Sequence, residues 1–134
     1  ELLPGTLLSY KGYTVQSSYP ENNDVSEYFV VEPTAGKKFV VLWYTLYNGS
    51  GSDQDINFLA DNIAFKSVIN SDINATALVT MLNDDMSTLQ TSMHDNEEMD
   101  CVLIFEVSEE AADNLSSIVV KLSKSGANWQ RQVL

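Results

Sequence analysis

Apolar and polar positions alternate in short runs along much of this chain, and a period of two is the signature of strands half-buried in a sheet. From Met99 to Val107, the residues Met99, Cys101, Leu103, Phe105 and Val107 form one face. Val102 and Ile104 form the other, beside Asp100 and Glu106. Ile63 to Ile69 alternates in the same way, with Ile63, Phe65, Ser67 and Ile69 set against Ala64, Lys66 and Val68. Phe39 to Tyr47 breaks the rule. It is apolar on both faces and rich in aromatic and β-branched residues, which predicts a central strand covered on both sides. Tyr10 to Tyr19, Tyr28 to Glu32, Asp55 to Leu59, Ser117 to Leu122 and Trp129 to Leu134 predict further strands. Between the runs stand turn-forming clusters such as Pro20-Glu21-Asn22-Asn23-Asp24, Asn48-Gly49-Ser50-Gly51-Ser52 and Asn70-Ser71-Asp72.

Two stretches follow another pattern. In Ala75 to Gln90 the residues Leu78, Met81, Leu82, Met86 and Leu89 recur at helical spacing, while Thr80, Asn83, Asp84 and Asp85 are weak helix formers. That combination predicts one or two helical turns inside a long crossing segment. Glu109 to Leu115 predicts a short helical turn capped by Ser108. Many strands with turns between them and little helix indicate an all-β sandwich of two sheets. At 134 residues the chain is expected to form one domain, residues 1–134, with no internal boundary.

Charge narrows the partners. Nineteen acids face seven bases, a net charge of −12, and no Lys or Arg occurs between Ser67 and Val120. Such a surface repels phosphate backbones, so nucleic acid is excluded as a partner. The longest apolar run, Phe39 to Leu46, is far short of the about 18 residues a membrane helix needs. The opening Glu1-Leu2-Leu3-Pro4-Gly5 carries no targeting pattern.

Reactive chemistry finds little purchase. The one histidine, His94, stands beside Ser92 and Asp95 in a polar turn, and no Gly-x-Ser-x-Gly elbow is present. The one cysteine, Cys101, lies in a strand with Asp100, Glu98 and Glu97 nearby, which disfavours a thiolate. No catalytic residues and no organic cofactor are expected. Calcium is the cofactor the acidic turns would take, and Asp84, Asp85, Asp95, Glu97 and Glu98 are its candidate ligands. Asp53-Gln54-Asp55-Ile56-Asn57 begins like an EF-hand loop, but Phe58 and Ala64 stand where that loop needs glycine and glutamate. Trp43, Tyr44, Tyr47 and Trp129 could stack on a sugar or peptide, or pack in the core. Asn48, Asn74 and Asn114 each begin an Asn-x-Ser/Thr sequon.

Two stretches carry a family resemblance. Gly36-Lys37-Lys38-Phe39 runs through Val40 to Tyr47 into Asn48-Gly49-Ser50, and Asn96-Glu97-Glu98 leads into Met99 to Ser108, followed by Ser117 to Leu122. They resemble the immunoglobulin-like domains of unknown function carried by secreted lipoproteins of Gram-positive bacteria, over the chain from Tyr28 onward. Asp95-Asn96 stands where those domains usually carry a Pro-Gly turn. The resemblance implies an immunoglobulin-like antiparallel β-sandwich of about seven to eight strands with a short helical turn or two. It also implies an extracytoplasmic address, secreted or held at the bacterial cell surface by a lipid anchor upstream of Glu1. No catalytic site comes with it. The expected function is a non-catalytic interaction or adhesion module for a protein, peptide or glycan. A calcium-binding structural module is the alternative.

Overall fold

The computed structural model describes residues 5–19, 32–58, 60, 62–80, 84–124 and 126–134. Within them the chain forms nine strands: β1 (Thr6–Gln16), β2 (Lys37–Asn48), β3 (Gln54–Asn57), β4 (Ala64–Ile69), β5 (Ile73–Thr76), β6 (Gln90–Met93), β7 (Glu98–Ser108), β8 (Ile118–Lys124) and β9 (Ala127–Gln132). One helix, α1 (Glu109–Asp113), follows β7, and a single 3-10 turn spans Met86–Thr88. The strands pair antiparallel as β1-β2-β7, as β5-β4-β8-β9 and as the ribbon β3-β6. This is the all-β antiparallel sandwich expected from the sequence.

The core follows the pattern that predicted it. Val40, Leu42, Tyr44 and Leu46 of β2 and Cys101, Leu103, Phe105 and Val107 of β7 pack in one cluster with Phe65, Ile69, Ile118 and Val120 of the second sheet. Ile56, Phe58, Leu89 and Met93 bring the β3-β6 ribbon into it. On the reverse face, Phe39 and Val41 of β2 join Val102 and Ile104 of β7 beneath Tyr19, Trp43 and Leu78. Strand β2 is therefore covered on both sides, which is why it does not alternate. Full burial of each such side chain is worth about 1.5–3 kcal/mol before entropy opposes it.

The long segment after β5 ties the layers together. Ala77 N donates to Phe65 O of β4 at 2.9 Å, and the next residue, Leu78, donates its N–H to Ile104 O of β7 at 2.7 Å. The chain thus changes sheets within one peptide. Further on, Val102 N donates to Asp84 O at 2.8 Å, and Asp85 forms an isolated parallel bridge with Val102. Among the described residues the helical stripe yields one 3-10 turn, and Met81 and Leu82 lie outside them. The expected turn after β7 is present as α1, with Ser108 Oγ accepting from Ala111 N at 3.2 Å.

Strand boundaries differ in three places. Strand β1 starts at Thr6 rather than Tyr10 and carries a bulge at Lys11, between Tyr10 and Gly12, where Gly12 takes φ 135°. An L side chain rarely adopts that φ. The bulge breaks the alternation and hides the first half of the strand from a period-two reading. Strands β5 and β6 were not expected, because each is four residues long and largely polar. The predicted strand Tyr28 to Glu32 falls almost wholly outside the described residues.

Candidate binding cleft

Among the described residues the two main sheets differ by one strand, and an opening lies where they do not overlap. Strand β1 is, among the described residues, the free edge of the three-stranded sheet and β9 the free edge of the four-stranded one. Leu122 pairs with Trp129 and Val120 with Arg131, so Trp129 and Arg131 lie on the same face of the sheet as the core residues Val120 and Leu122. No described strand of the smaller sheet covers that part of β9. A cleft of about 310 Å³ results, with Leu8, Tyr10 and Tyr44 on one wall and Leu122, Trp129 and Arg131 on the other. Trp129 remains 40% exposed and Leu7, at the rim, 54%.

Its chemistry is apolar with two polar handles. Tyr10 and Tyr44 meet edge to face with centroids 5.5 Å apart, the arrangement ring quadrupoles favour. Tyr10 Oη is shielded from solvent and has no hydrogen-bond partner among the described residues. Burial, and then the neighbouring Tyr13, raise its pKa above the phenol value. Burial likewise holds the Tyr44 phenol far above its usual range, with Arg131 pulling the other way. Arg131 is the only arginine in the chain and, among the described residues, the only charged one lining the cleft. A second, polar groove of about 520 Å³ lies along β4, β8 and β9, bordered by Lys66, Lys121, Asn128, Trp129 and Gln130. There Lys66 and Lys121 stand directly opposite each other in the ladder, an unfavourable pairing of like charges.

The carboxylates expected to hold calcium lie in two separate places. Asp85 is 0% exposed. Its Oδ2 accepts from Thr80 N and Thr80 Oγ1, both at 2.7 Å, and its Oδ1 from Ser87 N at 3.0 Å and Ser87 Oγ at 2.7 Å. Asp84 accepts a hydrogen bond from Tyr19 Oη. Both acids sit beside Val102 of β7. Asp95, Glu97 and Glu98 lie at the start of that strand, roughly 15 Å away at the rise of an extended chain. Asp95 Oδ1 accepts from Gly51 N at 3.0 Å, and Glu97 Oε1 from His94 N at 2.8 Å. Among the described residues no three His, Cys, Asp or Glu side chains are gathered closely enough to hold a metal ion. Most of the oxygens named serve instead to fold their own loops.

The remaining sequence candidates also separate. His94 is exposed, with Nδ1 3.4 Å from Asp53 Oδ2, while Ser92 Oγ donates to Asp55 at 2.8 Å. Trp43 packs on Tyr19 and donates from Nε1 to Thr14 Oγ1 at 2.9 Å, and Tyr47 Oη donates to Asn96 at 2.7 Å. Of the four aromatics singled out, Tyr44 and Trp129 line the same cleft, from opposite walls. Leu8, Tyr10, Leu122 and Arg131 escaped the sequence reading. The one signal for them was a lone arginine two residues from a tryptophan in a terminal strand.

Cys101 is fully buried, and its thiol is pushed up to about 12, first by burial and then by Asp84 and Asp100. An unfolded thiol titrates near 9.0. Between those values the native state holds a proton that the unfolded state has lost. Its contribution is therefore intact below about pH 9 and falls away as the pH rises toward about 12. Urea midpoints should decline above about pH 9, and Cys101→Ala should flatten the start of that decline. A thiol reagent should label Cys101 only when urea is added.

No protein-family profile matches the sequence, and no curated protein matches it either. Three solved structures share its fold. An uncharacterized β-sandwich protein from Clostridium difficile superposes with a TM-score of 0.63 at 11% identity, over 99% of this chain and 93% of that one. A conserved hypothetical protein from Bacillus anthracis gives 0.62 at 14% identity, over 98% and 89%. A Bacillus subtilis protein provisionally named a lipoprotein gives 0.50 at 10% identity, over 96% of this chain but 36% of its own. At these identities the shared property is the sandwich itself.

Proposed function

We propose that this chain is a non-catalytic interaction module of the immunoglobulin-like kind, working outside the cytoplasm and holding its partner in the cleft between β1 and β9. The observation that carries the proposal is the overhang of β9, which leaves Trp129 and Arg131 facing an uncovered portion of the core. Exposed aromatic and arginine side chains around an apolar pocket are the usual anchors of a protein interface. The extracytoplasmic address is supported by the likeness to a protein provisionally named a lipoprotein. It fits a chain in which no described helix is long and apolar enough to cross a membrane.

Arrays of immobilised peptides and glycans, followed by calorimetry on the binders, test the reading. At least one saturable ligand is expected, and Trp129→Ala should weaken it by about tenfold or more. Binding indifferent to Trp129→Ala would remove the cleft from the account. Turnover of an ester, peptide or glycoside that a point substitution abolishes would end the non-catalytic assignment.

A further inference from the structure

The cleft has the shape of a missing strand. Stacked sheets lie about 10 Å apart and neighbouring strands about 4.8 Å apart, so a strand added outside β1 would lie in the layer facing β9. The backbone of β1 is set for such an addition. Gly49 N donates to Gly5 O at 2.8 Å, and the register pairs Leu7 with Tyr47 and Ser9 with Thr45. In an antiparallel ladder alternate residues carry the cross-strand bonds. Leu7 and Ser9 therefore bond to β2, and the N–H and C=O of Leu8 and Tyr10 turn toward the free edge. Asn48 N donates to Glu97 O at 3.0 Å, which gives β2 the matching alternation on its other side. The bulge at Lys11 ends the regular stretch, so the pairable edge runs only from Leu7 to Tyr10.

We propose that the occupant is an extended peptide segment of a partner protein, added as a fourth strand on the edge of β1, with an acidic group set against Arg131. This rests on the reading of the cleft as the binding site. Charge selects the partner: the chain carries −12 overall, yet among the described residues the cleft is lined by Arg131 and by no acid. Apolar side chains at alternate positions of the peptide would meet Tyr10, Leu122 and Trp129. Main-chain bonds would supply affinity, and the cleft would supply selectivity.

A phage library of random dodecapeptides selected on the intact chain supplies the probe, and a synthetic copy of the winning peptide is then studied by amide exchange. Enriched sequences should alternate apolar residues and place Asp or Glu at a fixed offset. The bound peptide should slow exchange at Leu8 and Tyr10 by at least about tenfold and leave Leu7 and Ser9 nearly unchanged. Arg131→Glu should weaken the peptide by about tenfold or more, and exchanging the peptide's acid for lysine should restore binding. A peptide that depends on Trp129 but leaves the Leu8 and Tyr10 amides fast overturns strand addition while sparing the cleft. Enrichment of no peptide, with a glycan bound in a Trp129-dependent way, overturns the peptide occupant alone. Binding that ignores Trp129→Ala overturns both readings. Slow Leu8 and Tyr10 amides in the free protein, or amides that slow only as its concentration rises, mean that the edge is already covered and also overturn the proposal.

Discussion

Replacing Asp85 with alanine should lower stability by about 3–5 kcal/mol, near the upper end of what single substitutions do. The carboxylate is fully buried and accepts from four donors, two on Thr80 and two on Ser87. Hydrogen bonds to a charged acceptor contribute about 1.5–3 kcal/mol each, and a buried donor left without a partner costs about 1–3 kcal/mol. Removing the carboxylate takes an acceptor from Thr80 and from Ser87 at once, although Ser87 Oγ keeps Leu78 O within reach at 3.3 Å. Asp85→Asn keeps the shape but places an amide N–H₂ against N–H and O–H donors, so it should recover only part of the loss. Urea unfolding of both variants measures this. A loss below about 1 kcal/mol for Asp85→Ala would show that the loop re-pairs its donors without the acid.

Asn48 should be the second sensitive position. Its Nδ2 donates to the carbonyls of Ser52, Met93 and His94 at 2.9, 3.0 and 3.1 Å. Its Oδ1 accepts from Ser50 N at 3.1 Å and Ser50 Oγ at 2.7 Å. One side chain thus joins the turn after β2 to the turn before β7. Asn48→Ala should cost about 2–4 kcal/mol, because three carbonyls each lose one donor and Ser50 N loses its acceptor at once, although His94 O keeps Glu97 N and Ser52 O keeps Ser50 Oγ. Asn48→Asp should cost more at neutral pH, since an ionised carboxylate would face the carbonyls. That new acid would have a raised pKa in the folded state, so the variant should regain stability as the pH falls toward about 4. Thermal melts at two pH values separate the cases, and an aspartate variant as stable as wild type at neutral pH would refute the account. The same enclosure bears on the sequons: Asn48 is 0% exposed, whereas Asn74 and Asn114 are open to solvent. In a glycosylating host, mass spectrometry should find sugar on those two and not on folded Asn48.

The sequence disclosed those parts of the fold in which one residue's burial is decided by its own strand. Phe39 to Tyr47 and Met99 to Val107 showed both their faces in advance, because each position's polarity reports the layer it meets. The crossing segment was harder for a physical reason. Ala77 joins the cluster between the sheets and Leu78 the cluster behind β7. Two adjacent residues pack in different places, which neither a period of two nor one of 3.6 would signal. At the acidic turns, composition counts oxygen atoms but not the donors they will accept from, so Asp85 looks the same as a free ligand. The cleft was hidden more deeply. It comes from the register of β9 on β8 and from a sheet one strand short, and neither is written in any single segment.

The pairing of β2 with β7 also sets a timetable. Lys37 faces Ser108 and Tyr47 faces Glu98, so the most apolar strand of the chain is made about sixty residues before the last of its partner. At about 5–20 residues per second of synthesis, that is an interval of roughly 3–12 seconds. Throughout it the edge of Phe39 to Tyr47 that pairs with β7 has no strand to bond to. A nascent or translocating chain in that state is sticky toward other copies of itself. Its safe folding depends on whatever shields that edge until β7 arrives.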